Sequence, residues 1–150
     1  MPVFRWDDLE DTLITPKYTS GIGKTIMGKG LILQRILNVK EERNDGVHKV
    51  GGHAHPEEQM IICLKKGRKA RLGQEWVEME EGDIALVPPH MEHEAISDED
   101  HLFLSIKTRI PGHSWYDGSW VPGAEEDWKR AQKILEEMDK KYKERTPWSK

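Results

Sequence analysis

Between residues 31 and 110 the sequence is divided into short apolar runs, each separated from the next by turn-forming residues. Glycine, proline or acidic residues recur at intervals of roughly ten residues, which is typical of strands joined by turns. The runs are LILQRILNV (31–39), QMIICL (59–64), KARLGQEWVEME (69–80), GDIALV (82–87) and HLFLSIKTRI (101–110). This pattern predicts an all-β domain, built as an antiparallel sandwich or barrel.

Several of these runs also predict which side chains face inward. The run 69–80 reads as two strands joined at a turn, and the run 59–64 reads as one buried strand. If Gln59 faces the interior, Ile61 and Cys63 face it too, because alternate side chains of a strand share a face. The run 101–110 alternates between two sets, namely Leu102, Leu104 and Ile106 against Phe103, Ser105 and Lys107.

The C-terminal part has a different period. Apolar residues recur at helical spacing from Ala124 to about Arg145. They are Trp128, Ala131, Ile134, Leu135, Met138 and Tyr142. Acidic residues open the segment and basic residues close it, which suits the helix dipole at both ends. We predict one amphipathic helix whose apolar stripe packs across the barrel or against a partner subunit.

Composition narrows the classes of function. The 150 residues carry a net charge of −4, whereas a nucleic-acid binder usually has a basic surplus. No apolar run is long enough to cross a bilayer, and the opening MPVFRWDDLE does not resemble a signal peptide. Cys63 is the only cysteine, so no internal disulfide forms. We therefore expect a cytoplasmic protein with no nucleic-acid or membrane partner.

Two histidine-bearing stretches are candidates for a metal site. In GGHAHPEEQ (51–59), His53 and His55 would project the same way from an extended strand, and Gln59 follows four residues later. The nearby carboxylates of residues 57 and 58 have similar reach. In GDIALVPPHMEHE (82–94), a strand ends at a proline pair and places His93 just beyond it. Converging imidazoles suit a divalent transition metal, although H-x-H alone is a weak signal that more often belongs to a polar surface loop.

Together the two stretches resemble the two motifs of the cupin superfamily, G-x5-H-x-H-x3/4-E-x6-G and G-x5-P-x-G-x2-H-x3-N. The matching positions, at or within one residue of the motif, are His53, His55, Gly67, Gly82, Pro88 and His93. The departures are Gly46, one residue too early, His90 in place of glycine, Ser97 in place of asparagine and Gln59 in place of glutamate. The resemblance covers residues 30 to 110 approximately. It implies a jelly-roll barrel, here with an added C-terminal helix, and commonly a homodimer.

The resemblance also implies a metal-ligand set. HAHPEEQ is similar to the HxHPxEQ variant of small cupins, in which glutamine takes the usual glutamate place. We therefore expect His53, His55, Gln59 and His93 as ligands, with Glu58 as the alternative fourth ligand. An amide is neutral, so a bound iron, manganese, nickel, zinc or cobalt ion would keep its full positive charge, which favours Lewis-acid chemistry.

Other polar residues are candidates for substrate binding or catalysis. His90 follows the proline pair and would act as a proton shuttle at the pocket mouth, unless it is an ordinary surface histidine. Lys107 and Arg109, near the end of the last strand, would bind a substrate carboxylate or remain surface charges. In HSWYDGSW (113–120), Asp117 and its aromatic neighbours would either bind a sugar-like substrate or attach the C-terminal extension to the barrel.

Three hypotheses of function remain open at this point. The first is a lyase or isomerase acting on a small sugar-acid-like or carbonyl substrate, similar to the small cupins that open unsaturated uronates. That subfamily's acidic and aromatic positions fall here on Phe103 and Ser105. The second is an iron or manganese dioxygenase, and the third is a non-catalytic module that holds a ligand.

The predicted organisation has three parts. Residues 1–30 form an N-terminal arm with edge strands, residues 31–112 form the barrel core, and residues 113–150 form the aromatic loop and the C-terminal helix.

Overall fold

A computed structural model describes residues 3–15, 21–38, 52–65, 68–96 and 100–142. In chain order they form a short 3-10 helix (Trp6–Asp8), the strands β1 (Thr12–Leu13), β2 (Ile22–Met27), β3 (Leu31–Asn38), β4 (Gln59–Cys63), β5 (Arg68–Leu72), β6 (Glu75–Met79), β7 (Ile84–Val87), β8 (His93–Ile96) and β9 (His101–Thr108), and the helix α1 (Ala124–Tyr142). Each predicted apolar run contains a strand, so the all-β prediction is confirmed. The motif positions Gly46, Gly67 and Ser97 lie outside the described residues.

The strands form two antiparallel sheets. One has six strands in the order β1-β2-β3-β9-β4-β7, and the other has three in the order β6-β5-β8. Both sheets contribute to one core, which consists of Ile14, Ile36, Ile61, Cys63, Ala70, Met79, Ala85, Val87 and Phe103. The core therefore lies between the two sheets, as the predicted jelly-roll architecture requires.

Strand β4 has the inward-facing set that the sequence predicts. Gln59, Ile61 and Cys63 are buried, whereas Met60 between them is exposed. The run 69–80 likewise folds into two strands, joined by a turn at Gly73, whose φ of 61° lies in the left-handed region that favours glycine.

Strand β9 organises the interior of the larger sheet because it pairs with β3 on one side and with β4 on the other. Its buried side chains are His101, Phe103, Ser105 and Lys107, and the residues between them are only half-buried. The cross-strand neighbours of Lys107 are Ile32 on β3 and Gln59 on β4. Since directly paired residues share a face, the Lys107 side chain points inward beside Gln59.

The chain divides into two compact units, Met1–Arg109 and Ile110–Lys150. The second unit contains α1, which confirms the predicted C-terminal helix from Ala124, although residues 143–145 of the prediction lie outside the described part. Ile134, Leu135 and Met138 of the predicted apolar stripe are exposed. Within the described residues, no helix is long and apolar enough to cross a membrane.

Candidate metal centre

His53 and His93 are joined through their backbones. The amide of each residue donates to the carbonyl of the other, and both N–O distances are 2.9 Å. This isolated bridge attaches the loop before β4 to the first residue of β8. His93 lies beyond the end of β7, as the sequence predicts, and it also begins the next strand, β8, which the sequence does not predict.

His55 is held by the loop that follows it. Its Nδ1 lies 3.0 Å from the carbonyl oxygen of Glu57 and 3.4 Å from a carboxylate oxygen of the same residue. An Nδ1–H group would donate to these acceptors, which leaves the lone pair on Nε2. His55 lies outside any strand, so loop contacts orient it, and the strand alternation assumed from the sequence does not.

His93 has a similar restraint. Its Nδ1 lies 2.9 Å from the carbonyl oxygen of Met91, so the Nδ1–H tautomer again presents Nε2 to the site. The imidazole centroids are 4.4 Å apart for His53 and His93, 4.8 Å for His55 and His93, and 5.8 Å for His53 and His55. One ring nitrogen from each histidine lies within 4.8 Å of the others. The three imidazoles thus converge on one point, two of them from the loop before β4 and one from the start of β8.

Gln59 adds an oxygen to this arrangement. Its Oε1 lies 3.1 Å from His55 Nε2, and its Nε2 donates to Ser105 Oγ at 2.8 Å. With His55 in the Nδ1–H tautomer, two electron-pair donors face each other, and this contact is unfavourable unless a positive charge lies between them. The donor set therefore fits a divalent transition metal.

The alternative fourth ligand is placed differently. The backbone of Glu58 is fixed to Thr108, since its amide donates to Thr108 Oγ1 at 3.1 Å and its carbonyl accepts from the Thr108 amide at 3.0 Å. Among the described residues, the cluster of converging ligand groups contains three histidines and no carboxylate.

Burial keeps the site in the protonation state that a metal requires. Burial, together with the positive charge of Lys107 and the neighbouring histidines, lowers the pKa of His55 from 6.5 to about 3. The imidazole is therefore neutral at physiological pH, and its lone pair is available as a ligand.

The residues predicted to act on substrate occupy different environments. His90 is exposed, and its amide donates to the carbonyl of His55 at 2.8 Å. Arg109 is also exposed, and its guanidinium donates to the carbonyl of Gly28 at 2.9 Å. Lys107 is instead buried beside Gln59. Strand alternation alone would place Lys107 and Arg109 on the same face. The strand β9 ends at Thr108, so the alternation does not extend to Arg109.

The aromatic loop has its own internal bonds. Asp117 accepts hydrogen bonds from the amide and hydroxyl of Ser119 at 2.9 and 2.7 Å, and these bonds lower its pKa to about 2. His113 packs on Trp120 with their centroids 4.4 Å apart. The Asp117 carboxylate therefore stabilises the turn by accepting hydrogen bonds within its own loop.

Comparison with known proteins agrees with this geometry. Residues 44–106 match the family model of the cupin domain, and this region contains all four predicted metal ligands. This match identifies a cupin domain over residues 44–106. A search of curated proteins finds no match.

Solved cupin structures have the same fold. An RmlC-like cupin from Shewanella frigidimarina has a TM-score of 0.60 at 15% identity, covering 72% of this chain and 90% of its own. KdgF from a Halomonas species has a TM-score of 0.59 at 16% identity, covering 72% and 93%. A protein from Thermotoga maritima described as a predicted oxalate decarboxylase has a TM-score of 0.58 at 16% identity, covering 71% and 98%. At these identities the likeness concerns the fold alone.

Proposed function

We propose that this cupin is a metal-dependent enzyme that carries out Lewis-acid lyase or isomerase chemistry on a small sugar-acid-like or carbonyl substrate. The observation that carries the proposal is the composition of the site, in which three imidazoles and the neutral amide of Gln59 converge without a carboxylate. His53, His55, Gln59 and His93 would hold an iron, manganese, nickel, zinc or cobalt ion. A bound divalent ion would supply polarisation of a carbonyl or hydroxyl oxygen of the substrate.

The surrounding residues prepare the donor atoms for this role. The carbonyls of Glu57 and Met91 accept from the Nδ1–H groups of His55 and His93, so both rings present Nε2. Ser105 orients the amide of Gln59 by accepting from its Nε2. Contacts of this kind fix the tautomer and direction of a ligand, and their loss typically weakens metal binding by about 10- to 100-fold.

The two positions at which the uronate-opening cupins carry an acidic and an aromatic residue are occupied here by Phe103 and Ser105. Phe103 belongs to the apolar core, and its ring stacks on His101 with the centroids 5.3 Å apart. Ser105 is engaged with Gln59. Neither residue supplies an acid or a base to a substrate. We therefore propose related chemistry on a smaller or differently substituted substrate, with His90 and Arg109 retained as candidates at the pocket mouth.

The proposal is tested by metal analysis followed by a turnover screen. The purified protein should contain one divalent ion per chain, and His53→Ala should lose it, whereas the control His113→Gln, in the second unit, should retain it. A screen of unsaturated uronates, small hydroxy-aldehydes and keto acids should find turnover of at least one compound, and that turnover should disappear on adding a chelator. Retained metal with no turnover would favour the ligand-binding module instead.

Oxygen consumption separates the alternative chemistry. A dioxygenase would consume oxygen with a catechol-like or diketone substrate, and Gln59→Glu should then preserve or increase its rate. For Lewis-acid chemistry the same variant should lower the rate, because the carboxylate neutralises part of the ion's charge. A homodimer in the cytoplasm remains our expectation for the assembly and its location.

A further inference from the structure

A row of buried polar side chains lines the interior face of β3, β9 and β4 next to the three histidines. It consists of Gln34, Ser105, Gln59 and Lys107, all of them at most 7% exposed. Gln34 pairs with Ser105, and Lys107 pairs with Gln59 in the adjacent register position. Polar groups are costly to bury unless something satisfies them, so this row needs an explanation.

Lys107 is the member of the row whose burial costs the most free energy, because its side chain can carry a charge. The residue is 7% exposed, and burial lowers the pKa of its ammonium group, while the negative charge of Glu57 opposes that change. Lys107 is also close enough to His55 to lower the pKa of that imidazole. A buried lysine thus stands beside the candidate metal centre.

Gln34 offers an unused acceptor in the same row. Its Nε2 donates to Thr25 Oγ1 at 3.2 Å, and its Oε1 is fully buried without a hydrogen-bond partner among the described residues. A buried carbonyl oxygen left unpaired costs free energy, and a hydroxyl donor from a bound molecule would remove that cost. Gln34 and Lys107 lie on adjacent strands two positions apart in register, so their side chains are diagonal neighbours on the interior face.

The local charges favour an anion. The proposed metal ligands are neutral, so a divalent ion would keep its charge, and Lys107 adds a positive charge when it is protonated. The buried carboxylate of Glu57 also lies near these residues, with one oxygen 3.4 Å from Nδ1 of His55. Positive charge therefore exceeds negative charge in this part of the interior, and a substrate carboxylate would reduce the excess.

We propose that Lys107 and Gln34 form the substrate subsite of this cupin, which selects small hydroxycarboxylic acids. Lys107 binds the carboxylate, and the Oε1 of Gln34 accepts a hydrogen bond from a hydroxyl group of the same molecule. This inference rests on the proposed function, since it places the substrate beside the metal centre. It assigns the recognition to a lysine of β9 and a glutamine of β3, which lie in the interior, and leaves Arg109 outside the subsite.

The test uses three probes of matched size with the zinc-loaded full-length protein. Glycerate carries a carboxylate and hydroxyls, propanoate carries only the carboxylate, and glycerol carries only hydroxyls. Dissociation constants are measured by NMR titration. We expect glycerate to bind at least tenfold more tightly than glycerol. Lys107→Met should weaken glycerate and propanoate binding by about tenfold or more, because charged hydrogen bonds are the stronger ones.

The variants separate the roles. Gln34→Leu should weaken glycerate by about three- to tenfold and leave propanoate unchanged. Lys107→Arg should retain most of the affinity for both acids. The control Lys69→Met removes an equal charge at an exposed position paired with Glu78, and should change binding less than about twofold.

Each outcome decides something. Equal affinity of Lys107→Met and wild type for glycerate overturns the proposal, and so does a loss seen with Arg109→Met but not with Lys107→Met. If Lys107→Met does not fold, equal affinity of the wild type for glycerate and glycerol overturns it. Wild type that binds zinc but neither acid refutes the subsite alone. Wild type that binds no zinc, but binds the acids through Lys107, refutes the metal proposal and supports the subsite.

Discussion

Lowering the pH from about 7 to about 5 is expected to destabilise the metal-free protein through the imidazole of His55. Burial, together with the charges of Lys107, His93 and His53, lowers the pKa of this group from 6.5 in the unfolded chain to about 3 in the folded one. Between these two values the unfolded chain binds the proton and the folded chain does not. The free energy of unfolding therefore falls as the pH falls through this window, and the loss is complete below a pH of about 3.

The size of the effect follows from the difference between the two pKa values. A gap from 6.5 to about 3 corresponds to about 5 kcal/mol over the whole window, of which about 2 kcal/mol is lost between pH 7 and pH 5. Urea unfolding of chelator-treated protein at several pH values measures this loss directly. His55→Gln removes the titrating group. Between pH 7 and pH 5 the free energy of unfolding of this variant should therefore fall by about 2 kcal/mol less than that of the wild type.

The control is His113→Gln, which lies in the second unit and leaves the three-histidine cluster intact. It should lose as much stability on acidification as the wild type. Addition of zinc to the wild type should move its acid transition to lower pH, because an ion bound only to the folded state stabilises that state. Parallel stability curves for wild type and His55→Gln would refute the reasoning.

Three further outcomes follow from the same contacts. Gln59→Leu should weaken zinc binding by about tenfold or more in equilibrium dialysis, and unchanged affinity would remove Gln59 from the ligand set. Ile61→Ala should lower the free energy of unfolding by about 2 to 5 kcal/mol in urea, because Ile61 is buried, whereas Ile84→Ala on the same sheet should lose much less, because Ile84 is 61% exposed. Arg71→Met removes the bonds to Glu92 and Glu94 that join β5 to the β8 region, so it should lower the melting temperature by a few degrees. An unchanged melting temperature would show that these bonds are dispensable.

The sequence predicts the sheets well because their strands are apolar and are bounded by strong turn signals. Strand β4 is a compact apolar run, and its alternating burial follows directly from its extended backbone. The amphipathic helix is equally visible in its periodicity and in the charges at its ends. Strand β8 is missed, because HEAI contains a single β-branched residue and its pairing with β5 is a tertiary effect.

The site is predictable in its members but less so in its geometry. His53, His55 and His93 do converge, yet the backbone bridge between His53 and His93 and the loop contact of His55 bring this about. Neither contact has a local sequence signal. The interior position of Lys107 follows from the alternation of β9, whereas the exposed position of Arg109 depends on where that strand ends. Strand ends are set by long-range pairing, which local pattern describes poorly.

Anomalous diffraction from crystals grown with cobalt or zinc salts tests the central claim most directly. We expect one strong peak per chain, about 2.0 to 2.2 Å from a ring nitrogen of His53, His55 and His93 and from the Oε1 of Gln59. A peak located elsewhere, or no peak between these four side chains at saturating metal, would contradict the account.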